Sequence, residues 1–90
     1  MDKRYTRKVI IKNQNGLHAR PASQLVHLAN TYKSEIKLFN SKTNVLADCR
    51  SVLSIMLLAA TQNTELDIQT QGIDAKEAID NVEKLLLNIE

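Results

Sequence analysis

Ninety residues, 43% apolar and 24% charged, make room for one domain around one modest core. A net charge of +2 is too small to argue for nucleic acid, and Tyr5, Tyr32 and Phe39 are too few rings for a base-stacking surface. One cysteine, Cys49, excludes an internal disulfide; no cluster has zinc-ligand spacing, no apolar run approaches a membrane span, and MDKRYTRK lacks a signal core, which together suggest a cytoplasmic protein.

Tyr5 to Ile11 reads as a strand, with Tyr5, Val9 and Ile11 on one face and Thr6, Lys8 and Lys12 on the other. Arg7 interrupts the apolar face and Ile10 the polar one. Asn13 to Gly16 is a turn. From Ala19 to Tyr32 the period becomes helical, with Ala22, Leu25, Val26 and Ala29 forming one stripe. Ser34 to Phe39 alternates again, and a loop over 40–44 leads into a second strand through Val45, Ala47 and Cys49. SVLSIMLLAA, residues 51–60, favours a short helix, with a buried strand as the competing reading. Asn63 offers a turn. Thr64 to Gln71 alternates as the clearest strand and ends at Gly72. Asp74 with Glu77 three residues on has the form of a capping box for a last helix striped by Ala75, Ile79, Val82, Leu86 and Ile89. The order β-α-β-β-α-β-α predicts an α+β domain, a four-stranded antiparallel sheet covered on one face by helices.

NGLHARPAS, residues 15–23, carries the chemistry. With His18 capping the first helix, the N–H groups of Ala19 and Arg20 have no partner within that helix. Pro21 has no N–H, and its fixed φ suits a first turn. Two open donors, the positive end of a helix and a guanidinium around one imidazole make an anion site suited to phosphate. Histidine placed there can serve as a covalent nucleophile through a ring nitrogen. The residues alone leave two readings open for His18, a polar cap or a phosphoryl acceptor. His27 lies within the helix beside the apolar stripe, with no charged partner at helical spacing, and reads as structural. No metal site is expected.

GLHARPA, residues 16–22, resembles the phosphorylation-site motif of HPr, the histidine-containing phosphocarrier family of the bacterial phosphoenolpyruvate-dependent sugar phosphotransferase system. RSVLSIM, TELDIQTQG and DAKEAIDNVEKLL resemble the rest of that family's chain, so the likeness covers nearly all of residues 1–90 as a single domain. It implies an open-faced β-sandwich with three helices. It implies a carrier rather than an enzyme, without a cofactor. His18 would accept the phosphoryl group on Nδ1 from phosphorylated Enzyme I and pass it to IIA domains of sugar transporters. Arg20 and the amides of Ala19 and Arg20 would hold the phosphate. Ser51 matches a serine that a kinase modifies in many relatives, which would add HPr kinase/phosphorylase and a catabolite-control regulator as partners. On physical grounds Ser51 is equally an N-cap. Val52, Leu53 and Met56 match an exposed partner-binding patch, which Arg20, Gln24 and His27 could frame. A paralogue working in a nitrogen-related or catabolite-control relay is the alternative. The expected state is a monomer that neither enters membranes nor binds nucleic acid. Ala59 and Asn63 stand where that family often has glycine.

Overall fold

The computed structural model describes residues 3–89. They form β1 (Lys3–Ile10), α1 (Ala19–Ala29), β2 (Glu35–Asn40), β3 (Val45–Asp48), α2 (Val52–Met56), β4 (Glu65–Gly72) and α3 (Ala75–Leu87). The four strands make one antiparallel sheet in the order β1-β4-β2-β3. The expected α+β architecture is therefore the observed one.

Alternation fixes which face is covered. Val9 on β1, Ile36 and Leu38 on β2, Ala47 on β3, and Leu66 and Ile68 on β4 are all buried. Leu25, Ile55, Ile79, Val82 and Leu86 from the three helices join them in one core. The other face is mostly polar, with Lys8 bonding both Glu65 and Asp67 at 3.2 Å, although Ile10 and Leu46 are also exposed there. Arg7, which interrupts the inward face of β1, lies at its margin. There its guanidinium meets Asp80 at 2.7 Å and Glu83 at 3.0 Å, both on α3. A cation among apolar neighbours is thus explained by two carboxylates on the covering helix.

Several sequence expectations change. α1 stops at Ala29 rather than running to Tyr32. Beyond it Thr31 N–H bonds Leu28 C=O and Tyr32 N–H bonds Ala29 C=O, a tighter turn that frees the Tyr32 hydroxyl to meet Asn81 on α3. The apolar run 51–60 is a helix only over Val52–Met56, because Ala59 takes the left-handed conformation, φ 50°, and turns the chain. Asp74 does cap α3 by position, but its side chain makes no capping bond. It bonds instead to Lys33 and Ser34, so the capping box with Glu77 does not form. Cys49 follows the last residue of β3 and is buried, as expected of a small hydrophobe.

Candidate functional site

Asn13, Gly16 and the 59–64 segment set the position of His18. Asn13 C=O accepts Gly16 N–H at 3.1 Å, and its side-chain amide donates to Gly16 C=O at 2.6 Å, closing the turn. Gly16 has φ 62°, and a Cβ there would lie 2.8 Å from Thr61 Cα and deeper still into the Ala60 carbonyl. Only glycine satisfies both demands. Leu17 N–H then bonds Ala60 C=O at 2.8 Å, and the Leu17 side chain is buried, so the residue before His18 is anchored twice.

His18 is the N-cap of α1, with extended backbone (φ −80°, ψ −174°). Its carbonyl accepts Ala22 N–H at 3.0 Å, while its imidazole makes no capping bond. The half-buried ring is therefore not consumed by the helix it starts. Ala19 and Arg20 occupy the first turn, where backbone N–H groups point out of the helix end. Arg20 is exposed and, among the described residues, has no acidic partner. Pro21 is buried and anchors the turn. A hollow of about 430 Å³ opens here, lined by Asn15, His18, Arg20, Pro21, Gln24, Asn88 and Ile89. It joins an imidazole, a guanidinium and three carboxamides, a set that can hold an anion against a nucleophilic nitrogen.

Beside α1 packs α2. Ser51 is its N-cap, and Ser51 Oγ accepts Ser54 N–H at 3.1 Å. Ser54 Oγ in turn accepts Asp48 N–H at 2.9 Å, tying the end of β3 to the helix. Ile55 and Leu58 enter the core, while Leu53, Met56 and Leu57 stay 70%, 40% and 64% exposed. The apolar surface is thus Leu53, Met56 and Leu57; Val52 is half-buried and packs on the core instead of standing free. Gln24 and His27 are exposed on α1, Gln24 inside the hollow and His27 in the last turn. Nothing in the sequence marks Asn88 and Ile89 as neighbours of His18. They lie far along the chain, and only packing α3 against the rest of the fold brings them to His18.

A family model described as "PTS HPr component phosphorylation site" matches residues 5–88. The chain belongs to the HPr family of phosphocarriers. It is 43% identical over 76 residues to the phosphocarrier protein NPr of Proteus mirabilis, covering 84% of this chain and 83% of that one. With the phosphocarrier protein HPr of Mycoplasma pneumoniae it shares 37% over 79 residues, 88% of this chain and 89% of that one. The crystal structure of HPr from Bacillus anthracis superposes with a TM-score of 0.84 at 29% identity, covering 91% of this chain and 95% of that one. No helix among the described residues is long and apolar enough to cross a membrane.

Proposed function

We propose that His18 of this HPr-family chain accepts a phosphoryl group from phosphorylated Enzyme I and passes it to IIA domains of sugar transporters in the cytoplasm. The observation that carries this reading is the His18 imidazole, free of capping duty at the start of α1, sharing one open hollow with Arg20. A lone pair on the ring nitrogen attacks phosphorus; the new P–N bond forms as the bond from phosphorus to the donor breaks, and the donor keeps that electron pair. Arg20 and the N–H groups of Ala19 and Arg20 neutralise the phosphoryl oxygens, and the helix end favours their charge. Reversal of the same step hands the group to the acceptor. Leu53, Met56 and Leu57 give partners an apolar landing area at α2, the helix packed beside α1. Phosphorylation at Ser51 would place negative charge at the edge of that area.

Incubation with Enzyme I and phosphoenolpyruvate tests the reading. One acid-labile phosphate is expected per chain, lost in His18→Ala and formed more slowly in Arg20→Ala. A folded chain that takes no phosphate from a proven donor refutes it.

The likeness to a phosphocarrier named NPr, higher in identity than that to the Mycoplasma HPr, favours a second reading, a carrier in a regulatory relay. Transfer from the phosphorylated chain to a sugar-transporter IIA domain separates the two.

A further inference from the structure

Asn88 follows Leu87, the last residue of α3. Its Nδ2 donates to Lys84 C=O at 2.6 Å, and its backbone N–H donates to Leu85 C=O at 3.1 Å. Two of the carbonyls left open at a helix C-terminus are thereby occupied, which mutes the negative end of α3 where it borders the hollow. A carboxamide carries two amide hydrogens, and Lys84 takes one. Among the described residues the second has no acceptor. Asn88 lines the same hollow as His18 and Arg20.

We propose that the second Nδ2 hydrogen of Asn88 binds the phosphoryl group carried on His18, making α3 the far wall of the phosphate site. The proposal rests on His18 being the acceptor. A neutral amide suits a reversible carrier: it adds a hydrogen bond to a phosphoryl oxygen without the full charge of a second arginine, which would oppose release. It also gives the end of α3 a role separate from covering the sheet.

The test uses the full chain, loaded by phosphorylated Enzyme I at known donor ratios, with the equilibrium constant for loading measured in wild type, Asn88→Ala and Asn88→Asp. Asn88→Ala should lower that constant roughly three- to tenfold. Asn88→Asp, which sets a carboxylate against the phosphoryl oxygens, should lower it further, with a loss that shrinks in high salt. Unchanged constants in both variants alongside a lowered melting temperature would make Asn88 a helix cap only. A readout that needs no variant is the pair of Asn88 side-chain amide proton resonances: one should move on phosphorylation of the wild type, and no movement overturns the proposal. A wild-type chain that takes no phosphate removes the carrier reading itself, a result distinct from either.

Discussion

The Asp74 carboxylate, at the N-cap of α3, holds Ser34, the residue before β2. Oδ1 accepts Ser34 N–H at 2.9 Å as well as the Ser34 hydroxyl, and Oδ2 accepts Lys33 N–H at 2.9 Å. Gly72 makes room for this clasp: a Cβ there would stand 2.8 Å from Ser34 Cα, and its φ of 144° favours glycine in any case. Arg50 adds a second tie, donating to Tyr32 C=O at 2.8 Å and Ser34 C=O at 3.2 Å. The turn that ends α1 is thus fastened to both α3 and the approach to α2.

The clasp makes stability depend on acid. The Ser34 hydroxyl first, and the Lys33 amide next, hold the Asp74 carboxyl below the usual carboxylate range. A group whose folded value is depressed binds its proton more readily in the unfolded chain. Its stabilisation is full above the unfolded value, about 3.9, and fades as pH falls through the lower folded one. Asp74→Asn should melt earlier than wild type at neutral pH. The gap should narrow as thermal melts are taken down from about pH 4. A gap constant with pH would show that the carboxylate charge plays no part.

Ala59 and Asn63 both adopt positive φ, 50° and 70°, at positions where the family resemblance anticipates glycine. An alanine pays for the left-handed conformation; glycine does not, although glycine gives back part of the gain through its freer unfolded chain. Ala59→Gly should therefore raise stability by about 1 kcal/mol in chemical denaturation. Asn63→Gly should change it less, because asparagine tolerates this region.

The covered face of the sheet, both long helices and the capping place of His18 were legible in the sequence because each is written in local spacing. Val9, Leu66 and Ile68 alternate, Ala22, Leu25 and Ala29 recur at helical period, and Pro21 marks a first turn. What escaped is set by partners distant in the chain. Asp74 carries the local signature of a capping box, yet two amides and a hydroxyl at 33–34 offer its carboxylate more bonds than its own helix does. Arg7 looks like an error in an apolar face until α3 brings Asp80 and Glu83 to it. Asn15, His18, Arg20 and Pro21 of the hollow all lie in NGLHARPAS; Asn88 and Ile89 have no local signal that could have joined them to it.

Ser51 serves the fold by accepting Ser54 N–H. Ser51→Ala should cost about 1 kcal/mol through the lost cap, while Ser51→Asp should keep most of the stability. Labelling with ATP and the serine kinase should vanish in Ser51→Ala. Undiminished labelling there would take Ser51 out of the regulatory account, leaving only its cap.

Cys49 is sealed in the core, and burial, helped by the Asp48 charge, pushes its thiol up to about 12. A native chain at pH 8 should react with a thiol reagent only at the rate of unfolding, and at once in denaturant. Fast reaction of the native chain would mean that the β3–α2 junction opens freely.

Leu53 and Leu57 are the most exposed apolar side chains of the α2 region, and neither supports the core. Replacing both with aspartate should leave thermal stability within about 0.5 kcal/mol of wild type, as for other surface changes. If they form the landing area for Enzyme I, the same double variant should be phosphorylated at least roughly tenfold more slowly at low donor concentration, the cost of losing a central apolar contact. Raising the donor concentration should restore much of the rate, because the lesion lies in docking rather than in the chemistry at His18. An unchanged rate at low donor would move the landing area elsewhere, most directly onto the exposed Arg20, Gln24 and His27 side of α1.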